Sequence, residues 1–363
     1  MKTINLPIYK GSTVLLSYDD MVSIKDGKYE GIIYGTHGNP NQIEFENEMK
    51  KLEGGYKTWS FPSGFSAITN SILAIAKSDD NILVCDNVYN PVRNFCDEIL
   101  TRLGITTTYI PSDIGVEILK YINPKTCLIY LESPCSNTFE IQDISSITTI
   151  AKYKNIPTII DNTWATPLYL NPFSFDVDVS IHSISKYISN NDVIMGTVTS
   201  NEKYANVIDK YYKTMQIHTA PEDCNMALNG LKTLKLRLKQ HELSTLQIAK
   251  WLSEHEKIET VLYPALPNHQ NYDRWCSMFT GASGLFSIRL RNEYSDEVMK
   301  EAVDKLKTFG VGFGWGSWKS LLVIGIYLKK KNIFDRKMIR INIGLESIDN
   351  IKNDLKIFLN HLV

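Results

Sequence analysis

The sequence predicts an α/β protein: a large domain on a mostly parallel sheet, then a smaller C-terminal α+β domain. Three observations carry this. The chain has 363 residues, too many for one small core. Between about 81 and 200, short apolar strands alternate with helical patterns, the arrangement that builds a parallel sheet with helices on both faces. Past about 205 a long amphipathic helix is followed by two strands and two further helices, with no such alternation.

Residues 1–44 carry Gly27, Gly31, Gly35, Gly38 and Pro40 and read as an irregular arm. The large domain is expected over 45–230 and the small one over 231–363. A helix through Glu44–Glu53 stops at Gly54-Gly55. The expected strands of the large domain are Asn81–Asp86, Cys127–Glu132, Thr158–Asp161, Val177–His182 and Gly196–Ser200. Helices are expected around 91–103, 113–122 and 144–154. In the small domain the helix runs from Leu231 to His255, the strands are Gly284–Leu290 and Ile339–Ile343, and helices lie near 295–308 and 347–362. No internal repeat or low-complexity segment is found.

Composition excludes several function classes. A net charge of −1 gives no global field toward nucleic acid or an anionic membrane. The run Lys329-Lys330-Lys331, with Arg336 and Lys337 nearby, reads as a solvated loop. The longest apolar run, Leu321–Leu328, is too short to span a bilayer, and Met1–Pro7 lacks the apolar core of a signal peptide. The six cysteines form no Cys-x-x-Cys pair, so no metal site is expected. Cys85 and Cys127 sit inside apolar strands and read as core thiols. A reducing cytoplasm is the expected location.

The most informative residue is Lys186, in Ser180-Ile-His-Ser-Ile-Ser-Lys-Tyr187. It lies just past a strand, with hydroxyls at Ser183 and Ser185. Twenty-five residues upstream, Pro157-Thr-Ile-Ile-Asp161 ends a second strand in a carboxylate. A lysine and an aspartate on neighbouring strand ends suit pyridoxal phosphate. The lysine forms the covalent link and the aspartate keeps the pyridine nitrogen protonated. In parallel sheets ligands bind beyond the carboxyl ends of the strands. Tyr89, Ser133–Asn137, Asp161 and Lys186 each follow or end a different predicted strand, so they converge on one edge.

Phe61-Pro-Ser-Gly64-Phe-Ser-Ala-Ile68 reads as a turn feeding a helix, with Phe65, Ile68, Ile72 and Ile75 on one buried face. Its free amides and dipole favour a phosphate, and Gly64 lets a ligand approach the backbone; an ordinary capped helix has the same pattern. Tyr89 is placed to stack on a flat ring and present its hydroxyl. Arg340, in Ile339-Arg-Ile-Asn-Ile-Gly344, is either a fork for a substrate carboxylate or an edge-strand arginine. The glycine ladder Gly310–Gly316 departs from a phosphate loop and reads as a strand passing into a tight turn.

These residues resemble the Cys/Met-metabolism family of pyridoxal phosphate enzymes, and within it the cystathionine β-lyases. The resemblance runs from about Tyr34 to Val363. It rests on Leu131-Glu-Ser-Pro134, Ile160-Asp-Asn-Thr-Trp-Ala165, Ser185-Lys-Tyr187 with Asp192 and Met195-Gly196, Tyr263-Pro-Ala-Leu-Pro267, Phe279–Ser287 and Ile339–Glu346. It implies an aminotransferase-like large domain (fold type I) and a homotetramer built as a dimer of dimers, acting on a small amino acid. It further implies that Lys186 carries the cofactor and Asp161 binds the pyridine nitrogen. Tyr89 would stack on the ring. Gly64, Phe65, Ser183 and Ser185 would hold the phosphate, with Tyr34 reaching in from a neighbouring subunit. Arg340 would bind the substrate carboxylate, with Ser136 beside it and Trp315 marking the β-lyase branch.

The chain also departs from that pattern. The family arm carries Tyr-x-Arg, whereas here it reads Tyr34-Gly-Thr36-His37, so a phosphate-binding arginine is missing. Arg93 and His37 are candidates to compensate. His37, Asn94, Gly314, Lys319 and Asn225 all replace other residues of the β-lyases. The implied reaction is β-elimination on cystathionine or a related S-substituted cysteine, giving thiol, pyruvate and ammonia. The rivals are γ-elimination or γ-replacement on an O-acyl-homoserine or another γ-substituted amino acid, and a non-catalytic protein of the same fold.

Overall fold

The computed structural model describes residues 4–328 and 333–363. The Lys329–Lys331 run lies outside the described residues; of its neighbours, Arg336 is ion-paired with Asp296. No described helix is long and apolar enough to cross a membrane.

Seven strands form the first sheet: β1 (Lys57–Phe61), β2 (Asn81–Cys85), β3 (Thr106–Ile110), β4 (Thr126–Glu132), β5 (Thr158–Asp161), β6 (Val179–Ser183) and β7 (Gly196–Ser200), in the order β1-β7-β6-β5-β4-β2-β3. Strands β3, β2, β4, β5 and β6 run parallel. Only β7 reverses, pairing antiparallel with both β6 and β1. The sheet is therefore mostly parallel, as expected, and of the aminotransferase-like type. The second sheet has five strands: β8 (Ile258–Leu262), β9 (Leu285–Leu290), β10 (Gly310–Val311), β11 (Leu321–Leu328) and β12 (Ile333–Asn342), in the order β10-β11-β12-β9-β8. The apolar run Leu321–Leu328 is thus β11.

Several elements differ from the sequence reading, each for a physical reason. The arm contains a helix, Tyr18–Lys25, closed by a Ser17/Asp20 capping box. It buries none of its residues, so it has no apolar stripe by which it could be recognised. The next helix begins at Pro40 rather than Glu44. Asn39 caps it by accepting from the Gln42 amide at 2.9 Å, and it ends at Gly54 with φ +72°. Strands β1, β3, β8 and β11 were not expected; the threonines of β3 blur its alternation. The segment 113–122 forms only a short 3-10 helix, Val116–Lys120. The long helix runs from Pro221 to Ser253, so residue 230 falls inside a continuous rod of 33 residues.

The helix after β1, Gly64–Ile75, turns Ala67, Ile68, Ser71 and Ile72 into the core. Phe65 does not share that face. It is the second residue of the helix, overhangs the sheet edge and is 39% exposed. One continuous core runs beneath both sheets, from Leu83, Ile129 and Ile160 to Phe286, Ile339 and Ile341. Trp164 fastens the two sheets together. Its indole donates to the Leu285 carbonyl at 2.9 Å and its ring meets Tyr263 and Phe279 edge-on.

Candidate active site

The parallel strands deliver their polar ends to one edge. Asp161 ends β5 and lies in register with Glu132 at the end of β4 and with Ile181 on β6. Lys186 follows β6 and Tyr89 follows β2, where Tyr89 opens a helix at Asn90. Arg340 comes from β12 of the other sheet. The structure therefore brings together Lys186, Asp161, Tyr89 and Arg340.

Each of the four is shaped by the others. Burial lowers the pKa of Lys186; the Arg340 cation adds to this and Asp161 works against it. The Lys186 ammonium nitrogen sits 5.5 Å from the centre of the Trp315 ring. Asp161 is raised by burial, opposed by two hydrogen bonds from Thr163 and then by the nearby His182 and Lys186. Tyr89 is raised by burial and by Asp161 and Glu132, and is therefore kept protonated. Burial brings Arg340 down to about 10, and its Nη2 donates to the Phe313 carbonyl at 2.7 Å.

Glu132 was not anticipated, although it ends an apolar strand just as Asp161 does, and that signal could have found it. It is 6% exposed and accepts from the Tyr89 amide at 3.0 Å. Ser136 hydrogen-bonds to it as well, so this serine backs onto Glu132. Behind Asp161, His182 Nε2 lies 3.1 Å from Glu53 Oε1, and both side chains are buried.

The phosphate-side residues divide. A Cβ on Gly64 would stand 2.6 Å from Ser183 Cβ and 2.8 Å from its Oγ, so a glycine is needed to let the helix reach the end of β6. The Ser183 amide donates to Thr163 Oγ1 at 2.8 Å, tying this corner to Asp161. The Ser185 hydroxyl is instead occupied twice by the Met195 backbone, at 3.0 and 3.2 Å. Tyr34 lies on the arm, bridged to Thr13, and no hydrogen bond joins it to the four central residues among the described residues. Arg93 is committed elsewhere: it donates to the Asp86 carbonyl at 2.9 Å, stacks 3.8 Å over the Tyr109 ring and pairs with Asp97. Lys319 leans toward Glu346, 3.9 Å away.

A buried lysine, an aspartate and a tyrosine at the carboxyl edge of an aminotransferase-like sheet are the groups that pyridoxal phosphate chemistry uses. The chain belongs to the Cys/Met metabolism PLP-dependent enzyme family, whose model matches residues 1–360. It is 35% identical over 377 residues to the L-alanine/L-glutamate racemase of Wolbachia pipientis wMel, covering 99% of this chain and 93% of that one. It is 34% identical over 335 residues to the cystathionine beta-lyase of Escherichia coli, covering 89% and 85% of the two chains. The cystathionine gamma-lyase of Lactobacillus plantarum has the same fold, with TM-score 0.90, 26% identity, and 98% and 93% coverage. A structure from Campylobacter jejuni, which carries N'-pyridoxyl-lysine-5'-monophosphate, matches with TM-score 0.91, 25% identity, and 99% and 96% coverage.

The residues present fit that cofactor. The Gly64 and Phe65 amides, first in a helix of 12 residues, have no acceptor among the described residues and could receive an anion beside the adjoining Ser183 hydroxyl. Asp161 could supply the carboxylate and Lys186 the amine that the cofactor requires.

A pH dependence follows for the cofactor-free protein. Burial and its Asp161 neighbour raise Glu132 from 4.5 to about 8, and Asp161 is raised too. A carboxyl raised in the folded state holds its proton longer there than in the unfolded chain. Its stabilising effect is full below the unfolded value and is lost as pH climbs toward the folded one. The melting temperature of the stripped protein should therefore fall between pH 5 and 8, and restoring pyridoxal phosphate should raise it more at pH 8 than at pH 5. Calorimetric melts at both pH values check this.

Proposed function

We propose that the protein is a carbon–sulfur β-lyase that cleaves cystathionine or a related S-substituted cysteine. The observation that carries this is the convergence of Lys186, Asp161, Tyr89 and Arg340 at one sheet edge, with Trp315 over the lysine. Similarity to a cystathionine beta-lyase across most of both chains supports the choice within the family.

Gly64, Phe65 and Ser183 would hold the cofactor phosphate, with Ser185 shaping the loop and Tyr34 of a neighbouring copy reaching in. Asp161 would hold a proton at the pyridine nitrogen, and Tyr89 would cover the ring. When bound, pyridoxal phosphate supplies an electron sink for the charge that develops at Cα. Arg340 would grip the substrate carboxylate, with Ser136 beside it, and orient the Cα–H bond toward Lys186. Lys186, its basicity lowered by burial, takes that proton as a neutral amine. Tyr89, held in its protonated form, or the newly protonated Lys186 gives a proton to the departing sulfur. Water completes release of pyruvate and ammonia. Assembly as a homotetramer of paired dimers would supply the Tyr34 contact.

Two other chemistries use the same lysine. γ-Elimination is the activity of a structural neighbour, and Cα racemisation that of a curated relative. One assay separates them. With added pyridoxal phosphate and L-cystathionine, pyruvate without 2-oxobutyrate is expected. 2-Oxobutyrate would mark γ-chemistry, and D-amino acid formed from L-alanine or L-glutamate without keto acid would mark a racemase.

A further inference from the structure

The segment from Gly310 to Gly316 is held by hydrogen bonds at both ends. Gly310 and Val311 pair with Leu321 and Leu322, and the Gly312 amide donates to the Leu322 carbonyl at 3.1 Å. At the far end, Gly316 has φ +82° and its amide donates to Asn342 Oδ1 at 2.9 Å. A Cβ there would stand 2.8 Å from the Tyr187 amide nitrogen. Trp315 is held edge-on by Tyr187 at 5.6 Å, against Lys186. Gly316 is thus a glycine because the observed backbone needs one.

Gly312 and Gly314 are different. Neither has a positive φ, and a Cβ on either would meet nothing nearer than 3.8 Å and 3.7 Å respectively, which is ordinary contact. The observed conformation therefore gives no reason for glycine at either position. Between them Phe313 is 83% exposed, a large apolar ring in water at the mouth of the site. Its carbonyl is the acceptor of Arg340 Nη2. A carboxylate arriving at Arg340 engages the same guanidinium fork and so competes with this latch.

We propose that Phe313 is the specificity-determining residue of the site. Hinging at Gly312 and Gly314, it folds its ring over the substrate side chain beyond the sulfur once the carboxylate occupies Arg340. The substrate class this favours is cysteine carrying an apolar S-alkyl or S-aryl group. An apolar lid selects such a tail over one ending in charge. The inference deepens the β-lyase reading and rests on it for the position of the sulfur.

The test uses the pyridoxal phosphate-loaded enzyme with S-benzyl-L-cysteine and β-chloro-L-alanine, which has no tail to cover. Covering an aromatic ring corresponds to about ten- to hundred-fold in binding. Phe313→Ala should raise KM for S-benzyl-L-cysteine by about that factor, while kcat and KM for β-chloro-L-alanine change less than about two-fold. Gly312→Ala with Gly314→Ala should give the same split with the ring still present. Equilibrium binding of S-benzyl-α-methyl-L-cysteine, which has no Cα proton to lose, gives a readout independent of turnover. Weakening by Phe313→Ala of that ligand but not of α-methylalanine supports the lid, even if no keto acid forms and the lyase reading falls. Equal losses for both ligands, or no loss, would overturn it.

Discussion

Lys186→Ala should leave no measurable keto-acid release from L-cystathionine, a loss of at least about 10³-fold, since general acid–base catalysis alone contributes 10²–10⁴-fold. The size follows from the residue's double duty. It is the only amine at the meeting point of Asp161, Tyr89 and Arg340 among the described residues, and burial lowers its pKa, which favours the neutral form a base needs. Tyr89 cannot substitute as a base, because burial and its carboxylate neighbours keep its proton on. The fold should survive. Lys186 sits on a loop after β6 and makes no side-chain hydrogen bond or ion pair among the described residues. A separate readout fixes the cause: borohydride reduction of the loaded enzyme, followed by peptide mass analysis, should find a pyridoxyl group on Lys186 in the wild type and none at this position in the variant. Retained turnover in Lys186→Ala would rule out the mechanism.

The core of this site was legible in the sequence because parallel strands write it linearly. Each of β2, β4, β5 and β6 ends at the carboxyl edge, so the polar residues that end or follow them are forced there, and Tyr89, Asp161 and Lys186 could be placed together without coordinates. Glu132 obeys the same rule and was within reach. Arg340 could be singled out as a charge in an apolar strand, but only the packing of the second sheet on the first brings it near Tyr89. What failed to show is what depends on distant partners. Ser185 reads as a phosphate hydroxyl, yet the Met195 backbone ten residues on claims it. Arg93 reads as a spare cation, yet Tyr109 and Asp97 claim it. Gly64 reads as room for a ligand, whereas the immediate need is closeness to Ser183. Gly312 and Gly314 read only as part of a tight turn, with Gly314 a departure from the β-lyases, because it takes the structure to show that nothing surrounding them requires glycine.

Asp161→Asn should move activity and stability in opposite directions. An asparagine keeps the shape and keeps an oxygen to accept both Thr163 hydrogen bonds, which converge on one Asp161 oxygen. It removes the negative charge. Without that charge, residue 161 could no longer hold a proton at the pyridine nitrogen of bound pyridoxal phosphate, and the electron sink the cofactor would supply would be weaker. Loss of a preorganised electrostatic group of this kind costs about 10²–10³ in kcat. In the cofactor-free protein the same charge is a liability. It lies in register with Glu132 on the neighbouring strand; burial disfavours both carboxylates, and the Asp161 charge further disfavours that of Glu132. Asp161→Asn should thus raise the melting temperature of the stripped protein more at pH 8 than at pH 5, where Glu132, pushed up to about 8, holds its proton. Glu132 should then titrate closer to an ordinary carboxyl. A purely structural residue would lose stability along with activity. The combination of a slower enzyme and a firmer apoprotein is the signature of a charge kept for chemistry, and melts at the two pH values beside steady-state kinetics decide between them.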